Sequence, residues 1–247
     1  MIYFASDVHL GSGSKEEQRA IEQRFLAWLD MVAQDADSII LMGDIFDFWF
    51  EYKRVIPQGY TRVLGRLAEL TDKGIKVAFI AGNHDMWVRD YLPRECGVEL
   101  HTKPLSVELY GKHLFLAHGD NMRVKPFTLL WLMNSCFRSN LLRWLFRWLV
   151  HPDIAMKFGR WWSGKSRKSH SRFELKAEIT NPLYDYAREH HKSHPEIDYY
   201  IFGHMHIAVD RLADSPGTLH LGCWDGSTPT YARLDKDGRL SLETFTL

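Results

Sequence analysis

Five short apolar runs, rich in β-branched and aromatic residues, recur along this chain, and each leads directly into a polar turn. They are Ile2 to Ala5, Ser38 to Met42, Lys76 to Ala81, Lys112 to Ala117 and Tyr199 to Phe202. The turns that follow read Asp7-Val8-His9, Gly43-Asp44, Gly82-Asn83-His84-Asp85, His118-Gly119-Asp120 and Gly203-His204-Met205-His206. Runs of this length and composition are strands. Between the first three lie helical patterns. About Lys15 to Gln34 carries Ile21, Phe25, Trp28, Leu29 and Val32 on one face, and about Gln58 to Asp72 carries Val63, Leu64, Leu67 and Leu70. Strand alternating with helix predicts a parallel sheet in an α/β fold. In such sheets ligands gather beyond the carboxyl ends of the strands, so one sheet would bring these turns to one place.

The residues of those turns are Asp, His and Asn, the donors that two neighbouring hard or borderline cations require, with no thiolate among them. An Asp-x-His pair or a Gly-Asp turn alone is more often a cap or a loop contact. Five such turns at successive strand ends are not explained by local capping. Cys96, Cys136 and Cys223 are odd in number and lack CxxC spacing, which argues against a disulfide framework and a thiolate metal site. The first acidic residue, Asp7, comes too early for a signal peptide, and the chain is read as cytoplasmic.

From Leu105 onward the pattern changes to hairpins. Leu105 to Leu109, Tyr110-Gly111 and Lys112 to Ala117 form one; Thr230 to Leu234, the turn Asp235 to Gly238 and Arg239 to Phe245 form another. Both are expected in a second, partly antiparallel sheet.

Residues 121–170 follow neither pattern. They hold Trp131, Phe137, Leu141, Trp144, Leu145, Trp148, Trp161 and Trp162, interrupted by Arg138, Arg143 and Arg147. Arginines inside the apolar stretch exclude a membrane span, and an inserted helical cap is expected. Lys plus Arg and Asp plus Glu each total 31, so the chain is formally neutral, yet the charges around the cap are nearly all basic. Bulky apolar content suits acyl chains better than a phosphate backbone, and no nucleic-acid partner is expected.

The full set of turns resembles the signature of the calcineurin-like metallophosphoesterases. The resemblance implies a four-layer αββα sandwich of two mixed sheets flanked by helices, with a catalytic domain of residues 1–120 and 171–247 and a helical cap at 121–170. It implies that Asp7, His9, Asp44 and His206 hold one metal and Asp44, Asn83, His118 and His204 the other, with Asp44 shared. The metals would be manganese, or iron or zinc, and would activate water for in-line attack on a phosphorus centre. His84 would donate to the phosphoryl group or leaving oxygen, and Asp85 would orient it.

Ser6-Asp7-Val8-His9-Leu10, Gly43 to Trp49, Val107 to Gly111 ahead of His118-Gly119-Asp120, and the helical insertion are most similar to one group within that family. Its members hydrolyse UDP-2,3-diacylglucosamine in lipid A biosynthesis, at the cytoplasmic face of the inner membrane. In that likeness Asn83, His84, Arg160, Lys165, Ser166, Arg167 and Lys168 lie near the phosphates and Trp131 and Trp144 near the acyl chains, on a face that also rests on anionic lipid. Better-known members carry Arg where this chain has His84, which is closer to the general family motif. The alternative is another phosphodiesterase, phosphatase or nuclease of the family acting on a soluble ester.

Overall fold

A computed structural model describes residues 1–122, 127–170, 182–226 and 228–246, and of residues 129, 130 and 165–170 only the backbone. Eleven strands among these residues form two mixed sheets.

The first sheet has the order β11-β10-β1-β2-β3-β4, from β1 (Ile2–Ala5), β2 (Ser38–Leu41), β3 (Lys76–Ile80), β4 (Glu99–His101), β10 (Thr230–Leu234) and β11 (Leu240–Thr244). Strands β1 to β4 pair in parallel through α1 (Lys15–Val32), α2 (Thr61–Asp72) and α3 (Tyr91–Cys96). The second sheet runs β5-β6-β7-β9-β8, from β5 (Leu105–Leu109), β6 (Lys112–Ala117), β7 (Tyr199–Phe202), β8 (Ala208–Arg211) and β9 (Gly217–Leu221). The first hairpin, β5–β6, stands where expected. The second corrects its expectation: β10 pairs antiparallel with β1, Phe4 opposite Ala232, and so extends the first sheet.

Strand alternation sorts the layers. Ile2 and Phe4 of β1 face Leu114, Leu116, Ile201, Leu219 and Leu221 of the second sheet, forming the core between sheets. Tyr3 and Ala5 face the other way, onto Phe25, Trp28 and Leu29 of α1. On the far side, Phe115, Tyr200 and Phe202 pack against Leu183 and Ala187 of α7 (Pro182–Ser193). The layers are therefore α1–α3, sheet, sheet and α7, the four-layer arrangement that the family resemblance implies.

Residues 128–170 form α4 (Leu129–Arg138), α5 (Asn140–Leu149) and α6 (Pro152–His170). α6 is docked by a stripe of small residues one helical turn apart. Ala155 is buried, a Cβ at Gly159 would fall 2.3 Å from the Phe48 ring, and the Ser163 hydroxyl donates to Asp47 Oδ1 at 2.6 Å. These contacts bring α6 onto the turn after β2.

Candidate metal centre

The turns after β1, β2, β3, β6 and β7 are knitted by backbone bonds before any side chain acts. Asp7 N–H donates to Gly43 O, His9 N–H to Asp44 O, Gly203 N–H to His118 O and Trp224 N–H to Asp7 O. Close approach of two turns requires glycine. A Cβ on Gly43, at φ +85°, would fall 2.7 Å from both Gly82 N and His118 Nδ1, and one on Gly82 would fall 2.2 Å from Asp44 Oδ1.

Five of the seven expected ligands have left-handed backbone: Asp7 (φ 53°), His9 (50°), Asp44 (53°), His204 (67°) and His206 (57°). Asp and His tolerate this region better than most residues, but each such position still costs free energy, and such strain clusters at functional sites.

The side chains converge. Asp7, His9 and His206 bring ligand atoms within 4.8 Å of one another, as do Asp44, His118 and His204, and His9, Asp44 and His84. Asn83 joins the second group, its Oδ1 3.1 Å from His118 Nε2. All seven expected ligands therefore lie around one centre. Asp7, His9, Asp44 and His118 are buried; Asn83, His204 and His206 are partly exposed, toward the side a substrate must enter.

The donor set fits a pair of divalent cations. His9 Nε2 and His206 Nε2 face each other at 3.1 Å, and His118 Nε2 lies 3.3 Å from Asp44 Oδ2, distances at which a shared cation satisfies ring nitrogens and carboxylates together. His118 Nδ1 lies 3.0 Å from the Met42 carbonyl. A carbonyl only accepts, so Nδ1 carries a proton, and Nε2 is the ring nitrogen turned to the centre.

Burial pushes the Asp7 carboxyl up, but the bond from His206 and the charges of His118 and His206 outweigh it and hold Asp7 at about 2. Asp44 is likewise held well below the usual carboxylate range, burial notwithstanding, by His118 and His84. Two buried carboxylates ionised side by side are an electrostatic demand for cations.

His84 and Asp85 part company. His84 Nδ1 faces the Asp47 carbonyl at 2.9 Å, its Nε2 is 3.8 Å from Asp44 Oδ2, and its backbone N–H donates to Asp44 Oδ1 at 2.8 Å. Asp85 does not orient the His84 ring. It is fully buried, with Oδ1 accepting from Gly82 N–H at 2.7 Å and Oδ2 from Ile45 N–H at 2.8 Å, clamping the second and third turns together. Burial and the Asp44 charge push its carboxyl up to about 7, against the pull of those amide bonds.

Asp47 holds the position that sequence reading gave to Asp85. Its carbonyl orients His84, its Oδ1 lies 3.6 Å from His9 Nδ1, and that same oxygen accepts from Ser163. It stands in the quoted Gly43 to Trp49 motif, and its spacing of three from Asp44 was the available signal. Asp120 accepts a hydrogen bond from Arg138 of α4 at 2.6 Å. Cys223 and Asp225, on the loop after β9, come within ligand distance of His206, which no spacing in the sequence suggested.

Of the expected substrate contacts, Arg160 lies on α6, exposed at a cavity whose wall includes Leu10 and Gly11. Trp131 packs on Phe127 and Trp144 on Trp148, all on the protein exterior. The side chains of Lys165, Ser166, Arg167 and Lys168 lie outside the described residues.

A model of calcineurin-like phosphoesterases matches residues 1–208. The chain belongs to the calcineurin-like phosphoesterase family. Among the relatives of this metallophosphoesterase is a UDP-2,3-diacylglucosamine hydrolase of Porphyromonas gingivalis, 42% identical over 236 residues, covering 90% of each chain. A protein of the same description from Haemophilus ducreyi is 26% identical, covering 96% of this chain and 97% of its own. In this metallophosphoesterase the Asp and His clusters bind divalent metal.

Proposed function

We propose that the protein hydrolyses the pyrophosphate of UDP-2,3-diacylglucosamine, giving UMP and 2,3-diacylglucosamine 1-phosphate in lipid A biosynthesis. The observation that carries this reading is full-length likeness to the Porphyromonas gingivalis hydrolase, together with a complete set of ligand side chains around one buried centre. Asp7, His9, Asp44 and His206 hold one metal and Asp44, Asn83, His118 and His204 the second, manganese by preference, with iron or zinc as alternatives. When bound, the metals supply charge that polarises the phosphoryl oxygens and acidifies water.

The chain's own groups do the rest. With His84 Nδ1 held by the Asp47 carbonyl, Nε2 is the ring nitrogen left to interact with the phosphoryl group or the departing oxygen. Asn83, half-exposed beside His118, presents its amide N–H groups to the same oxygens.

Residues 121–170 form the substrate-binding cap on the catalytic domain of residues 1–120 and 171–247. Support comes from its surface: Trp148 and Leu149 are each 75% exposed and Leu141 65%, on helices that also carry Arg138, Arg143 and Arg147. Such a face suits acyl chains and anionic headgroups, with Trp131 and Trp144 on the apolar side and Arg160 and the 165–168 segment on the phosphate side. No helix among the described residues is long and apolar enough to cross a membrane, and the face supports peripheral attachment to the cytoplasmic side of the inner membrane.

The test is manganese-dependent UMP release from UDP-2,3-diacylglucosamine in detergent, beside Asp44→Ala and beside bis-para-nitrophenyl phosphate. UMP release abolished by the substitution supports the reading. Turnover confined to the soluble diester sinks the lipid substrate and leaves a phosphodiesterase.

A further inference from the structure

A cavity of about 330 Å³ opens between the start of α1, the segment leading into α2, and α6. That volume sits at the lower end of small-molecule sites, which span roughly 300–1,000 Å³. Its wall begins at Leu10 and Gly11, directly after the expected ligand His9, and continues to Arg160, three residues before the Ser163 that binds Asp47. The cavity and the metal centre thus share the β1 turn and α6.

Lys15, Arg19, Arg62 and Arg160 line this cavity, against Glu22 as its single acid. The chain is formally neutral, so the excess is local. Glu22 is shared, bonded to Arg19 and 3.8 Å from Arg62. Lys15 and Arg160 form no ion pair among the described residues. Two uncommitted cations and two competing for one carboxylate are a site for an anion, and the phosphate of a nucleotide fits it.

The remaining lining exceeds what bare phosphate needs. Tyr60 presses its phenol against Gly11, where a Cβ would fall 2.6 Å from the hydroxyl oxygen, and supplies a flat aromatic wall. Gln18 donates through its amide nitrogen to Gly13 O, leaving its carbonyl oxygen to accept, and the exposed Gln58 offers both donor and acceptor. Aromatic surface with paired amide groups suits a pyrimidine base.

We propose that this cavity binds a nucleoside monophosphate, the UMP half of the substrate, and so fixes which side of the pyrophosphate departs as nucleotide. The inference rests on the reaction proposed above. It gives Arg160 a nucleotide-side role and adds Lys15, Arg19, Arg62 and Gln58, which no motif singled out.

The test is calorimetric titration of the manganese-loaded enzyme with UMP, ribose 5-phosphate and inorganic phosphate, for the wild type, Lys15→Ala/Arg62→Ala and Gln58→Ala. All three altered side chains are exposed, so the fold is retained. Loss of two partly screened phosphate contacts is expected to weaken UMP about tenfold in the double variant. Inorganic phosphate, taken by the metals, should bind as before. Gln58→Ala should weaken UMP but not ribose 5-phosphate. Unchanged UMP affinity in the double variant overturns the proposal, as does an equal loss for UMP and inorganic phosphate, which marks an anion site without nucleoside recognition. UMP release from the lipid substrate is measured separately. Turnover with unaltered UMP affinity removes the cavity and leaves the reaction; weakened UMP without turnover removes the reaction and leaves a nucleotide site.

Discussion

Gly82 is where the smallest chemical change should do the greatest damage to the centre. A methyl group there would stand 2.2 Å from Asp44 Oδ1, 2.6 Å from Asp44 N and 3.0 Å from Asp44 Cγ, where ordinary contact begins near 3.4 Å. The carboxylate oxygen must therefore retreat by more than 1 Å. It cannot do so by rotation alone, because the backbone nitrogen is crowded too and Oδ1 also accepts the His84 N–H at 2.8 Å. Nor is the Asp44 peptide free, since its carbonyl accepts from His9 N–H at 2.9 Å. Misplacing a catalytic group by about 1 Å costs roughly 10²-fold in rate, or about 2.7 kcal/mol of activation free energy. Gly82→Ala is thus expected to lower kcat for bis-para-nitrophenyl phosphate by about two orders of magnitude and to bind less than two equivalents of manganese by elemental analysis, while keeping its far-ultraviolet circular dichroism. Gly65→Ala is the control, because nothing lies within 4 Å of its Cβ position and it sits inside α2; it should keep full activity and gain about 0.5–1 kcal/mol of stability. Gly82→Ala with wild-type turnover and a full metal complement would refute the close approach of the β2 and β3 turns as the device that places Asp44.

Three further outcomes follow from buried groups. Ser163→Ala leaves Asp47 Oδ1 without its 2.6 Å donor and is expected to cost about 1–3 kcal/mol in urea unfolding and to raise amide exchange along α6; unchanged exchange there would separate α6 from Asp47. His220 is buried, and burial and the Arg211 charge lower its pKa to about 4. Below the unfolded value near 6.5 the unfolded chain takes up a proton that the folded one refuses, so stability is complete above pH 6.5 and falls as pH drops toward 4. The loss reaches about 3 kcal/mol, and His220→Gln should flatten that part of the pH dependence measured by urea midpoints. Chelation should lower Tm reversibly, since metal at about 100 times its Kd contributes roughly 2.7 kcal/mol; calorimetry with and without manganese reads this directly, and an unchanged Tm would contradict the ligand assignment.

Much of the fold was legible because its strands are short, apolar and separated by helices with a clear buried face. The α1 stripe of Ile21, Phe25, Trp28, Leu29 and Val32 is buried as its periodicity required. The tail hairpin was read as a hairpin but set in the wrong sheet, for a physical reason. The apolar residues of Thr230 to Leu234 say only that the strand is buried, and either sheet could bury it; the pairing of Phe4 with Ala232 decides the matter, and it is not local in sequence. α3, β4, β8 and β9 escaped for a similar reason, being too short, or in β9 too uniformly buried, to show a period. The docking of α6 was equally silent. Ala155, Gly159 and Ser163 are small residues that a hydrophobic pattern discards, yet their smallness lets the helix reach Phe48 and Asp47.

At the centre, chemistry was readable and direction was not. Asp, His and Asn at strand ends announced metal ligation, and the seven expected ligands do meet, but adjacency in sequence misled about Asp85. Consecutive side chains in a tight turn point different ways, so Asp85 faces the amides of Gly82 and Ile45 while His84 looks to Asp47. The left-handed backbone at Asp7, His9, Asp44, His204 and His206 explains why the ligands can meet at all, since an ordinary φ would aim those side chains elsewhere. At about 1 kcal/mol or more each, five such residues cost the fold several kcal/mol. A chain selected for stability alone would place glycine in these turns. Retaining Asp and His there makes sense only if their side chains return that free energy, and two buried carboxylates facing imidazole nitrogens return it when they hold cations. Backbone strain and ligand chemistry are thus two aspects of one requirement, and the metal is as much a structural component of these turns as the hydrogen bonds that join them.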